Sequence, residues 1–131
     1  MARRVRSTGP TPCPYLILGE RPGKVEDRTG RCFSGPSGQE LDRYLFANAG
    51  LSRDNVHAMN LVDTYSEEPP TQEEIDANWN NVCAEIDAVN PDFVGLMGLY
   101  AVRAGLPVKD ITMEWSHGLV FPSEKRSCLC M

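Results

Sequence analysis

The sequence predicts an α/β fold, a three-layer α/β/α sandwich with a short, mostly parallel central sheet. Two observations carry the prediction. Short apolar runs at residues 15–18, 56–62 and 93–97 alternate with longer stretches whose apolar residues recur at helical spacing, the pattern of βαβ units with helices on both sheet faces. The chain has 131 residues, 41% of them hydrophobic, which is enough for one domain with its own core and too few for two.

Each element follows in order. Residues 1–14 hold three prolines and no periodicity, so they read as a flexible arm before a domain spanning 15–131. Tyr15-Leu16-Ile17-Leu18 stops abruptly at Gly19-Glu20-Arg21-Pro22-Gly23, as expected of a strand buried on both faces that feeds a sharp loop. That loop runs on, rich in glycine and charge, to Gly38. Ser37 with Glu40 three residues later forms a capping box, and Leu41, Tyr44, Leu45 and Ala49 then follow at helical spacing until Gly50.

Val56–Val62 reads as the second strand and Thr64–Pro70 as an exposed loop. Thr71 and Glu74 make another capping box. It opens a helix in which Ile75, Trp79, Val82, Ile86 and Val89 form one apolar stripe, with Trp79 in the core. Asn90-Pro91-Asp92 ends that helix, Phe93–Gly98 is a third strand and turn, and Leu99–Ala104 a short helix. In parallel sheets ligands gather at the carboxyl ends of the strands. Gly19–Gly23, Asn60–Tyr65 and Gly98 therefore belong to one rim.

The net charge is −5, which argues against a surface coated for nonspecific nucleic-acid binding. The mean hides an asymmetry: residues 1–31 carry seven basic groups against three acids, whereas residues 63–92 carry nine acids and no Lys or Arg. Either these are a solvated acidic helix face and a frayed basic terminus, or a phosphate-facing side stands opposite an acidic one. No apolar run reaches the roughly 18 to 20 residues that span a bilayer, and no secretory apolar stretch follows the Arg-rich start. A cytoplasmic or nucleoid-associated protein with no membrane partner is expected. The five cysteines, Cys13, Cys32, Cys83, Cys128 and Cys130, lack the paired spacings of a metal site, so they are expected to be reduced and to hold no metal.

Several side chains on the rim could carry chemistry. Glu20 ends a strand between glycines and could act as a general base or position a water; equally it could pair with Arg21 or Arg31 on a surface loop. Phe33, in an otherwise polar loop, is either an anchor tucked against the core or a stacking platform for a flat ligand. Asn60 offers both donor and acceptor at a strand end, suited to reading a base edge or to capping the strand. His57 alternates into a strand and reads as a packed ring; His117 lies in a turn-like Trp115-Ser116-His117-Gly118. The Gly-rich loop has neither the Walker spacing nor G-x-G-x-x-G, which leaves a nucleoside-triphosphate or dinucleotide site unsupported.

Taken together, these residues resemble the uracil-DNA glycosylase superfamily, and within it the family 4 branch. Gly19-Glu20-Arg21-Pro22-Gly23 is similar to that family's first motif, and Glu26-Asp27, Gly30-Arg31-Cys32-Phe33-Ser34-Gly35, Gly38 and Leu41-Asp42 to the stretch after it. Asn60 in Met59-Asn60-Leu61-Val62, the helix start Thr71-Gln72-Glu73-Glu74-Ile75 and the turn at Gly98 also resemble family segments. The likeness runs from about residue 15 to 121.

It implies excision of uracil from DNA by base flipping and hydrolysis of the N-glycosidic bond; a monomer is expected. Glu20 would position or activate the water, Phe33 would stack on the flipped uracil, and Asn60 would bind its edge and reject cytosine. Gly19, Arg21, Pro22 and Gly23 would line the substrate site. Family 4 members resemble iron–sulfur proteins with four cysteine ligands. Here the matching helix position is Asn78, the ligand after the second strand is missing and Cys13 stands alone, so no cluster is expected.

The family's C-terminal His-Pro motif, whose histidine contacts the departing uracil, has no counterpart in this sequence. Cys128-Leu129-Cys130-Met131 resembles the strand that leads into it. The expectation is a domain incomplete at its C-terminus and weakened as an enzyme. The alternative is a catalytically silent module of the same fold that binds a base or single-stranded DNA through Phe33 and Asn60.

Overall fold

Strand β1 (Tyr15–Gly19) alternates its side chains between two cores: Leu16 and Leu18 are buried on one face and Ile17 on the other. Two cores on opposite faces of one strand require a layer on each side of the sheet, and the computed structural model of the chain provides both. The structure describes residues 4–105, 120–122 and 127–130. The rest of the sheet is β2 (His57–Asn60), β3 (Phe93–Leu96), β4 (Val120–Pro122) and β5 (Ser127–Cys130), in the order β2-β1-β3-β5-β4. All neighbours run parallel except β4, which is antiparallel to β5. His117 and Met131 lie outside the described residues.

One face of the sheet is covered by α4 (Gln72–Val89) and α5 (Leu99–Gly105): Ile75, Val82, Val89, Ala101 and Val102 pack with Leu16, Leu18, Met59, Val94 and Leu96. Helix α4 begins as its sequence predicts. Thr71 Oγ1 accepts from the Glu74 N–H while Glu74 returns the bond to the Thr71 N–H, and Asn90 closes the helix in the left-handed region at φ 50°. Trp79 is only partly buried at the border of this core. A ring expected inside instead lies at the edge of the core, as do Ile86, Tyr100 and Ala104.

The opposite face carries α1 (Lys24–Thr29), α2 (Pro36–Glu40), a π-helical turn (Leu41–Phe46) and α3 (Ala47–Ala49), with Cys32, Phe33 and Leu41 packed on Ile17 and Ala58. Three expectations are corrected here. Residues 24–29, read as loop, are helical; α1 buries none of its residues, so it leaves no apolar stripe to read. Helix α2 starts at Pro36 with Gly35 as its cap and no side-chain cap bond, because proline's fixed φ and missing N–H suit the first helical position. Ser37 is therefore already inside the helix. The second strand is shorter than 56–62: Leu61 and Val62 leave the ladder, and their N–H groups bond to the Gly19 and Glu20 carbonyls.

The N-terminal segment, expected as a flexible arm, is docked. Thr8 exchanges both main-chain bonds with Ala58, at 3.0 and 2.8 Å, on the outer side of β2. Val5 and Cys13 are each 3% exposed, and the Cys13 N–H bonds to the Val89 carbonyl at 3.0 Å. An extended, proline-rich segment has no internal partners for its main chain, so an unpaired strand edge satisfies it. No helix among the described residues is long and apolar enough to cross a membrane.

Candidate active site

At the carboxyl end of β1 the chain turns sharply through Glu20 to Gly23, and three other segments meet it. Leu61 and Val62, just past β2, donate to the carbonyls of Gly19 and Glu20 at 2.9 and 3.1 Å. Met97, just past β3, donates to the Leu18 carbonyl at 2.9 Å. The start of α5 then approaches the Glu20 side chain, whose Oε2 accepts the Tyr100 N–H at 2.9 Å. Gly98 makes that approach possible. It sits at φ 91°, and a Cβ there would meet Glu20 Cδ at 2.7 Å. Glu20 pairs with neither Arg21 nor Arg31; a main-chain amide holds it.

A cavity of about 540 Å³ opens at this point, and Gly19, Glu20, Arg21, Gly23, Phe33 and Asn60 all line it. Phe33 is 8% exposed and held at φ 55°. Its ring and the Asn60 amide both lie over Gly19: a Cβ on Gly19 would meet Asn60 Oδ1 at 2.5 Å and Phe33 Cζ at 2.8 Å. The cavity thus has an aromatic wall, an amide that can give and take hydrogen bonds, and an oriented carboxylate. Glu26 brings a second carboxylate to it, with Oε2 buried and without a protein partner among the described residues.

Asn60 Nδ2 contacts Cys32 Sγ at 3.7 Å. Burial, aided by the Glu85 and Glu26 carboxylates, pushes the Cys32 thiol up to about 12, so it stays protonated at neutral pH and is no nucleophile. Pro22 is fully buried and does not line the cavity. Arg21 lines the cavity, but its guanidinium turns toward α4. There it makes a two-pronged pair with Glu74 at 3.0 and 3.0 Å and donates to the Thr64 carbonyl, with its side chain 8% exposed. It is a strut between the loop and α4 rather than a free anion ligand. Its bonds hold the exposed Glu74 carboxyl below the usual carboxylate range.

Sequence reasoning missed the Tyr100 amide, Glu26 and Met97. The amide leaves no side-chain signal, although the Gly98 turn before it marked the place.

The sequence matches the family model described as the uracil DNA glycosylase superfamily over residues 7–130. The chain belongs to the uracil DNA glycosylase superfamily. Among curated superfamily members it is 35% identical over 105 residues to the type-4 uracil-DNA glycosylase of Thermotoga maritima, covering 79% of this chain and 54% of that protein. It is 28% identical over 101 residues to the type-4 uracil-DNA glycosylase of Archaeoglobus fulgidus, covering 76% and 50%. With the corresponding protein of Saccharolobus solfataricus it shares 29% identity over 112 residues, 84% and 52% of the two chains. The chain therefore spans about half the length of the curated relatives it matches.

An iron–sulfur cluster of the kind implied by the family 4 resemblance does not fit the described residues. Cys13 Sγ lies 3.2 Å from the carbonyl oxygens of both Tyr15 and Asn55, so the sulfur faces two hydrogen-bond acceptors. Asn78, the position that the resemblance matches to a cysteine ligand, carries an amide that donates to the Glu74 carbonyl at 2.8 Å. Among the described residues no group of His, Cys, Asp or Glu could hold a metal ion.

Proposed function

We propose that this protein excises uracil from DNA by flipping the nucleotide into the cavity at the end of β1 and hydrolysing its N-glycosidic bond. The observation that carries the reading is the meeting of Glu20, Phe33 and Asn60 on one cavity, in a chain whose family is named for this reaction. Extruding a base costs a few kcal/mol of stacking and pairing, and Phe33 would return part of that by stacking on the uracil face. Asn60 would donate to uracil O4 and accept from N3–H; cytosine presents the opposite pattern, so it would leave the amide mismatched.

The chemical step follows from the Glu20 geometry. With Oε2 occupied by the Tyr100 amide, Oε1, which has no hydrogen-bond partner among the described residues, would accept a hydrogen bond from a water aimed at C1′. As the C1′–N1 bond breaks, its electron pair leaves with uracil, the sugar becomes cationic, and the carboxylate stabilises that charge. The water oxygen then bonds to C1′ and its proton passes to Glu20, giving an abasic site; uracil departs as its N1 anion and takes a proton from solvent, to which Glu20 returns its own. Main-chain N–H groups of the Gly-rich loop and of the start of α2 would support the uracil anion and a flanking phosphate. The reading takes the protein as a monomer acting on DNA in the cytoplasm.

The test is release of uracil from a labelled uracil-containing oligonucleotide by the wild type and by Glu20→Gln. Loss of the carboxylate is expected to slow release by about 100- to 10,000-fold. Release that the substitution leaves unchanged would sink the assignment. Binding weakened by Phe33→Ala with no uracil released by the wild type would replace the enzyme with a base-binding module.

A further inference from the structure

We infer that Arg53 is a positioning residue that holds the Phe33 loop in the shape its ring needs to form one wall of the cavity. The inference rests on the reading of Phe33 as the stacking wall. Phe33 occupies the left-handed region, at φ 55°, which a bulky L-residue keeps only where its surroundings over-determine it. Helix α2 supplies one part of that constraint: a Cβ on Gly38 would lie on the Phe33 carbonyl oxygen, so loop and helix touch main chain to main chain.

Arg53 supplies the other part. Its Nη2 donates to the Phe33 carbonyl at 2.6 Å and to the Gly38 carbonyl at 3.3 Å, and its Nη1 donates to the Cys32 carbonyl at 3.1 Å. Asp42 fixes the guanidinium in turn, accepting from Nε at 2.8 Å and from Nη2 at 3.3 Å. A loop that turns its carbonyls inward has no strand or helix to receive them, and a flat fork of donors serves several at once. The same clamp fixes Cys32, whose thiol meets the Asn60 amide. Ring and amide are thus set by one cation, contributed from 20 residues further along the chain.

The test uses Arg53→Gln and, should that variant fail to fold, Arg53→Lys, which keeps the charge and loses the fork. The first readout is alkylation of Cys32 by iodoacetamide, resolved by peptide mass spectrometry. Cys13 is the internal control, since both thiols are 3% exposed and they sit in different cores. The expected result is severalfold faster modification of Cys32 with Cys13 unchanged. Unchanged protection of Cys32, or an equal rise at both thiols, overturns the inference.

The second readout is a double-mutant cycle on uracil release. Arg53→Gln alone should slow release by about 10- to 100-fold, and in a Phe33→Ala background it should add little. Fully multiplicative losses would show that Arg53 acts elsewhere. A wild type that releases no uracil overturns the proposed function, while Cys32 protection still decides the role of Arg53.

Discussion

Asn60 divides its amide between two neighbours. Nδ2 leans on the Cys32 thiol while Oδ1 lies over Gly19, and this sets the sides on which the amide presents its donor and its acceptor. Asn60→Ala is expected to slow uracil release by about 100- to 1000-fold, the usual cost of one lost donor to a leaving group. The preference for uracil over cytosine should narrow as well. Single-turnover assays on matched oligonucleotides check both, and a variant that kept the full preference would remove Asn60 from base recognition. At this scale the shared place of Glu20, Phe33 and Asn60 on one cavity was legible: each is chemically out of place in its surroundings, as a carboxylate between glycines, a ring in a polar loop and an amide ending an apolar strand, and the family resemblance joined them. Arg21 was misleading for a physical reason. Its partner Glu74 lies 53 residues away, and a basic residue in a Gly-rich loop looks like an anion ligand until α4 is in place.

Between β3 and α5 the whole geometry of Glu20 hangs on Gly98. Gly98→Ala must place a side chain at φ 91° and against Glu20 Cδ, and strain of that kind costs about 1 to 3 kcal/mol. The expected outcome is a lower urea midpoint together with slower uracil release, read by denaturation and by the oligonucleotide assay. A variant with wild-type values in both would show that the turn has room to spare. Elements with an apolar stripe or a two-way cap were readable, as α4 shows with its Thr71–Glu74 box. Those without one were not. Helix α1 buries nothing, α2 takes its start from Pro36, and β4 is a three-residue strand ending in proline, too short to show alternation.

Across the whole molecule, the N-terminal segment, β2 and α4 are joined through His57. Its ring is 5% exposed, with Nδ1 3.1 Å from the Pro10 carbonyl and Nε2 2.6 Å from Glu85 Oε2. Both nitrogens face acceptors, and only the protonated ring donates from both. Burial alone would lower the His57 pKa, but the Glu85 and Pro10 bonds outweigh it and raise it above 6.5. The His57 bond holds Glu85 below 4.5 against the opposing effect of burial.

The His57 contribution is therefore complete below about 6.5 and lost as pH rises through the raised value, whereas the Glu85 contribution is lost as pH falls through its lowered one. Urea unfolding between about pH 6 and pH 9 should show stability falling with pH in the wild type and a flatter profile in Glu85→Gln. Parallel profiles would mean that the pair does not hold the segment. The alternation of strands and helices was legible at this scale because it is written in periodicity. The docking of residues 4–13 was not, since the pairing of Thr8 with Ala58 depends on an edge that exists only after the sheet has formed.

That pairing bears on how the molecule behaves in company. A bare parallel edge is a template for strands of other chains, and it invites self-assembly into ribbons. With Thr8 laid along Ala58, the border beside β2 is already taken by the chain's own main chain. Among the described strands, the border at β4 is the one left for such growth, and β4 is three residues long and ends in Pro122, which offers no N–H to an incoming strand.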